Sequence, residues 1–338
     1  MKEARLQVPP EEVWAAIVEP EKRRDWYYGQ AAHGEWRVGG RLEWRSEDGS
    51  LAEESTILEL DPPFRLILES RWMFAPSFAR EPPHLLTWEV RQTPVGSRVT
   101  LIGEFERPGR ASGILESEGD AILRGLRLRV DPAARAEIDR REEIGEITVR
   151  DLAPDRLGDY LRFFDEDAFR DYPAWQGCYC METHWGGSAD EWAARTAADN
   201  RASMTRLIGA GEVTALLAYV DGAPVGWCNY GESTRLKGVL QRFELEAAEQ
   251  EGVGSIACFV IAAPYRRHGI AARLLHTACA RLKERGLRWA EGYPRRDGGS
   301  PQASYRGPLT MFLDAGFQPY REAGQTLIVR KELGSADA

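Results

Sequence analysis

The stretch "VDPAARAEIDRREEIGE", residues 130–146, is dense in charge and has no sustained apolar face. Such a segment cannot serve as core. Strand and turn signals fill the chain before it, and a strand–helix pattern restarts after it. The chain has 338 residues, more than one hydrophobic core comfortably serves. Two domains are therefore expected, 1–143 and 144–334, with the junction near Glu142–Gly145.

In the first half, "EWRVGGRLEWRSEDGSLAEESTILELDPPFRLILESRWMF" alternates apolar and polar residues. It is punctuated by Gly39-Gly40, Asp48-Gly49 and Pro62-Pro63, which predicts antiparallel strands joined by turns. "HLLTWEVRQTPVGSRVTLIGEFE" adds two more. Before the strands, "PPEEVWAAIVEPEKRRDWYYG" reads as helix, with Val13, Trp14, Ile17 and Val18 on one face. After them, Ser112–Val130 reads as a longer helix, broken by Asp131-Pro132. An α+β unit with helix against a curved sheet is expected.

The hydrophobic fraction is 43% and the charged fraction 29%, which argues for a folded globular chain. Both halves are acidic, −6 over 1–145 and −3 over 146–338. Phosphate-rich partners reward clustered cations, so neither nucleic acid nor an anionic membrane is the expected partner. No apolar run reaches the roughly 18–20 residues of a membrane helix. "MKEARLQVPPEEVW" has no apolar signal core, so a cytoplasmic address is expected. Five cysteines, Cys178, Cys180, Cys228, Cys258 and Cys279, show no framework spacing and read as reduced thiols.

In the second half, "EITVRDLAPDRLGDYLRFFDED" predicts a strand and a helix, and Asn200–Ala210 another helix. "VTALLAYVDGAPVGWCNYG" predicts a hairpin turning at Asp221-Gly222. "GSIACFVI" is followed by "APYRRHGIAARLL", where Ala271, Leu274, Leu275, Ala278 and Leu282 recur at helical spacing as far as Gly286. "RWAEGYP" reads as a strand, "YRGPLTMFLDAGF" as a short helix and "TLIVRKEL" as a last strand. The turn Arg266–Gly269 thus sits at a helix N-terminus, where free amides and the dipole favour an anion. Gly269 lets backbone approach a bulky group, and Arg266 and Arg267 add charge. The turn reads as a pyrophosphate cradle.

"FVIAAPYRRHGIAARLL" resembles the acyl-CoA-binding motif of the GNAT family of N-acetyltransferases, Gln/Arg-x-x-Gly-x-Gly/Ala, through Arg266, Gly269 and Ala271. "VDGAPVGWCNYG" and "FLDAGFQPY" resemble that family's hairpin and C-terminal signature, so the likeness spans about residues 146–333. It implies a mixed α/β acetyltransferase domain that uses acetyl-CoA as co-substrate and a small amine as acceptor. Pantetheine would run along backbone at Phe259 and Val260. Pyrophosphate would sit on the amides of Arg267, His268, Gly269, Ile270 and Ala271, beside Arg266. His268 is either a phosphate contact or an exposed turn residue.

Many such enzymes carry a tyrosine acid four residues before the "GF" glycine; here that position is Phe312. Tyr305 is the replacement candidate, or else a tyrosine packed beside the helix. The motif-strand glutamate is also absent from "SIACFVI". Glu291 is the remaining candidate base, its alternative being a solvent-facing strand carboxylate. Cys178, Cys180 and His184 supply only three soft ligands, so no metal is expected. They fit better as a pocket wall with Trp175, Tyr179 and Trp185.

Residues 5–128 resemble START-like (SRPBCC) helix-grip domains of the Hsp90-ATPase-activator-homologue branch. The carrying segments are "VPPEEVWAAIVEPEKRRDWYYG", "WRVGGRLEW", "ILELDPPFRLILESRW", "LLTWEV" and "VTLIGEF". The likeness implies a cavity for a small hydrophobic ligand, with Trp26, Trp44, Trp72, Trp88 and Phe74 as walls or as simple core. A tryptophan often found after a glycine of the last helix is missing at Asp120. The leading expectation is an acetyltransferase fused to a ligand-binding domain. Its rivals are a non-catalytic CoA-binding sensor and a co-chaperone-like interaction protein.

Overall fold

The computed structural model describes residues 1–139, 144–296 and 303–334. The fold is α+β, in two compact units. One comprises Met1–Asp139 with Asp171–Trp175 and Ser188–Thr196; the other comprises the rest of the second half. The junction expected at Glu142–Gly145 lies partly outside the described residues.

The first unit contains β1 (Lys2–Leu6), α1 (Pro10–Val18), α2 (Pro20–Arg24), β2 (Ala31–Gly34), β3 (Arg41–Arg45), β4 (Leu51–Asp61) and β5 (Arg65–Trp72). After them come α3 (Pro76–Ala79), β6 (His84–Thr93), β7 (Gly96–Glu104), α4 (Arg110–Val130) and α5 (Pro132–Asp139). Its seven-stranded sheet is antiparallel throughout, in the order β1-β7-β6-β5-β4-β3-β2. The α4 residues Leu115, Ile122, Leu123 and Leu126 close the core with Trp14, Trp26, Trp44 and Trp88. Asp131 ends α4 as the sequence predicts. It also starts α5, because its carboxylate accepts from the Ala133 and Ala134 amides at 3.0 and 3.2 Å, a side-chain N-cap.

The five aromatics expected around one cavity divide between two places. Trp26, Trp44 and Trp88 pack in the main core, and Trp72 lies in a separate cluster with Phe78 and Ala111. Phe74 is 44% exposed. The guanidinium of buried Arg23 fills space among the first three, 4.1 Å from the Trp44 ring and 5.7 Å from that of Trp88. Its charge is screened by π faces and by the Ile17 carbonyl, which accepts its Nη1–H at 3.1 Å.

The second unit contains β8 (Ile147–Asp151), α6 (Leu157–Arg162), α8 (Ala197–Gly209), β9 (Ala215–Val220), β10 (Ala223–Glu232), α9 (Lys237–Arg242) and β11 (Val253–Ile261). It continues with α10 (Ile270–Glu284), β12 (Trp289–Gly292), α11 (Leu309–Asp314), β13 (Gln318–Ala323) and β14 (Thr326–Glu332). The short helix α7 (Ala189–Ala193) belongs to the first unit. The mixed sheet runs β13-β14-β12-β11-β10-β9-β8. Only β11 and β12 are parallel, with α10 as their crossover. Buried Ile270, Leu274, Leu275, Ala278 and Leu282 hold α10 against one sheet face. Among the described residues no helix is long and apolar enough to cross a membrane.

Candidate active site

The site begins where β11 loses a neighbour. β12 pairs with β11 only over Val253–Ile256, whereas β10 follows β11 to Ile261. From Ala257 onward one edge of β11 therefore opens, with Phe259 and Val260 on the opened length. A bulge marks the same point, since the β10 register shifts between Asn229 and Tyr230. Bulges re-aim side chains and end pairing. An opened strand edge presents backbone amides and carbonyls to any extended ligand.

The cradle lies just beyond that edge. Gly269 takes φ +76° and starts α10 with no side-chain cap, so the first-turn amides face outward without one. A Cβ at Gly269 would meet nothing within 4 Å; the approach is clear. Arg267 also adopts a left-handed φ, +65°. The glycine signal pointed to the turn, but no sequence rule singles out this second residue. Arg266 turns back, donating from Nε to the Ile261 carbonyl at 2.9 Å, and so pins the turn. Arg267 is exposed and Ile270 buried. His268 Nε2 is buried without a hydrogen-bond partner, a polar atom that an anion's oxygen would satisfy.

Strand alternation places Trp227, Asn229 and Cys258 on one face of the β10–β11 pair. Cys180 Sγ lies 2.9 Å from Cys258 Sγ, both thiols being free. Asn229 and His184 are hydrogen-bonded through Nδ2 and Nε2 at 2.8 Å. Burial pulls His184 down to about 4, so the ring is neutral at ordinary pH and accepts from the amide. Cys180 and His184 thus have separate partners, and among the described residues no group of three or more histidines, cysteines, aspartates and glutamates could hold a metal.

Tyr305 and Arg306 reach this face from the turn Ala303–Arg306. A Cβ at the next residue, Gly307, would lie 3.3 Å from the Phe259 ring, which fixes the turn against β11. Arg306 Nε donates to Tyr305 Oη at 3.1 Å, and burial pushes the Tyr305 phenol up. Glu291 does not face solvent; it is 1% exposed. Arg330 Nε donates to it at 2.8 Å, and the Tyr293 hydroxyl at 3.2 Å. Its contacts are those of a buried ion pair. Tyr293 stacks on Phe243 at 4.7 Å, and Phe243 lies under the Arg306 guanidinium at 4.9 Å. Glu291 and Tyr305 thus sit at opposite ends of one aromatic row. Phe312 is fully buried, edge-on to Phe317 at 5.1 Å, and is core.

Residues 171–294 match the family model described as Acetyltransferase (GNAT) family, and residues 7–119 match Activator of Hsp90 ATPase homolog 1-like protein. The chain carries an AHSA1-like domain and a GNAT domain. Among curated proteins no relative matches it. Similar solved structures include a Mesorhizobium loti protein with 21% identity, covering 38% of this chain and 93% of that one, at TM-score 0.33. CalU16 from Micromonospora echinospora has 19% identity, 39% and 76% coverage, and TM-score 0.31. A Mycobacterium smegmatis protein has 16%, 39% and 86%, at 0.31. The GNAT match supports an acetyltransferase-type activity, in a family that generally uses acetyl-CoA. It takes in the opened strand and the cradle, and it ends before Tyr305.

Proposed function

We propose that the GNAT domain transfers the acetyl group of acetyl-CoA directly to a small primary amine. The observation that carries this reading is the alignment of an opened β11 edge with the uncapped N-terminus of α10. The chain's groups fit the co-substrate: outward amides, a clear approach over Gly269 and the unpartnered His268 Nε2. Backbone at Phe259 and Val260 would orient pantetheine. The amides of Arg267–Ala271 would hold the pyrophosphate.

The bound thioester supplies an activated acyl carbon. The C–N bond forms as the C–S bond breaks, and the proton the amine loses balances the one the thiol gains. Tyr305 stays protonated at neutral pH because it is buried, and is the acid for the departing sulfur. Glu291 is the base candidate, although it must first be released from Arg330. That ion pair is the observation favouring a second reading, CoA binding without turnover. For the AHSA1-like domain we propose capture of a small, largely apolar ligand, supported by its family match and aromatic-rich interior.

The test is thiol release from acetyl-CoA across a panel of primary amines, with calorimetry in parallel. Turnover with one amine class is expected. Tight acetyl-CoA binding without turnover on any amine would establish the second reading instead.

A further inference from the structure

We infer that Arg306 reads a carboxylate on the acceptor, so that the amine substrate is amino-acid-like. This rests on the acetyltransferase reading above. Arg306 is 4% exposed, and its guanidinium lies 4.9 Å from the Phe243 ring centre and 4.8 Å from that of Tyr305. Its nitrogens are unequally satisfied. Nε donates to Tyr305 Oη at 3.1 Å, Nη2 to Glu182 Oε1 at a long 3.4 Å, and Nη1 has no partner among the described residues. A buried donor without an acceptor is costly, and more so on a charged group.

Charge counting points the same way. Glu182 also accepts from Arg242 Nη1 at 3.3 Å, so two guanidinium groups share one carboxylate. The cluster keeps a net charge of about +1 in a partly desolvated place, where charges interact more strongly than in water. Its position matters too. The turn bearing Arg306 packs against β11 at Phe259, just past the point where β12 departs. An acceptor approaching a thioester laid along that edge would pass this guanidinium.

The Nη1–Nη2 edge of a guanidinium is planar and matches the two oxygens of a carboxylate. Phe243 and Tyr305 fix the plane, so the donors are already oriented. The acceptor proposed above is an amine. The buried Arg306 adds an anionic group to that amine. Nothing in the sequence marks Arg306 apart from its neighbours, because its value lies in one nitrogen left unpaired.

The experiment compares acceptor pairs that differ only in the carboxylate: amino acids against their methyl esters and their decarboxylated amines. Thiol release is followed for the full-length wild type, Arg306→Met and Arg306→Lys, with acetyl-CoA affinity measured by calorimetry. The wild type should favour the carboxylated member by roughly 10- to 100-fold in kcat/KM, the range of a hydrogen bond to a charged group. Arg306→Met should collapse that ratio, chiefly through KM, and Arg306→Lys should restore part of it. Equal turnover within wild-type pairs, or an equal fall for both members in Arg306→Met, overturns the inference and leaves the acetyltransferase reading standing. Absence of acetyl-CoA binding overturns both. Where acetyl-CoA binds without turnover, calorimetry of each pair on the acetyl-CoA-loaded protein decides: no preference for the carboxylated member overturns the inference.

Discussion

Gly269 carries two separate demands in one residue. Its φ of +76° is a conformation that L side chains rarely adopt, and the open space where a Cβ would project is where a bulky anion must come close. Gly269→Ala should strain the turn by about 1 kcal/mol and weaken acetyl-CoA binding; Gly269→Val should weaken it further, at least tenfold. Calorimetry on the folded variants checks both, and unchanged affinity would remove the cradle. The glycine was legible in the sequence because its neighbours made a helix start. Glu291 shows the opposite case. Its partner Arg330 is 39 positions away and meets it only because β12 pairs with β14 in register, Glu291 opposite Arg330. Breaking a buried pair at one end strands the other charge. Glu291→Gln should therefore lower unfolding stability by about 3 kcal/mol, measured by denaturant titration. Replacing both residues by methionine should recover most of that stability. If the double variant is stable yet inactive, Glu291 is the base; if it still turns over, the carboxylate only holds the sheet.

At the scale of elements, the strands and helices with strong periodicity are where the sequence puts them, and two of the strands it missed share a cause. β1 is too short and too charged to announce itself. It exists because Lys2–Leu6 pair with Leu101–Ser97 of β7, 91 to 99 positions further along the chain. β13 is mostly exposed, and is a strand only through its pairing with β14. Pairing partners, unlike periodicity, cannot be read along the chain. Periodicity could not place the opened edge of β11, which is defined by where β12 stops; only the family resemblance pointed to that backbone, at Phe259 and Val260. The helix α10 offers a test in which two effects carry opposite signs. Ala272 lies in its first turn, where a negative side chain complements the dipole and stabilises the helix by about 0.5 kcal/mol. The same charge would repel a pyrophosphate held by the first-turn amides. Ala272→Asp should thus leave thermal stability equal or slightly raised while weakening acetyl-CoA binding tenfold or more. A fall in both would mean damaged packing, and a fall in neither would place the anion elsewhere.

At the scale of the molecule, each unit holds one histidine kept neutral by its surroundings, buried in the first unit and half-buried in the second, and pH links them to stability. In the first unit His84 is 4% exposed, stacked on Phe105 at 4.9 Å, with Nε2 lacking a partner. In the second, His184 is tied to Asn229. Burial lowers each to about 4 from the ordinary 6.5. A histidine held neutral in the fold binds its proton more readily when unfolded. Between pH 6.5 and 4 the unfolded chain therefore takes up protons that the folded chain refuses, and stability falls as pH falls. Above pH 6.5 neither state is protonated and the contribution is flat. At pH 5 each histidine should cost its unit on the order of 2 kcal/mol. Urea titrations at pH 7 and pH 5, with tryptophan fluorescence as the probe, should show the loss. His84→Phe, which keeps a ring beside Phe105, should remove the share belonging to the first unit and leave the rest. An unchanged pH dependence in His84→Phe would mean that this imidazole is already protonated, or solvated, in the folded state.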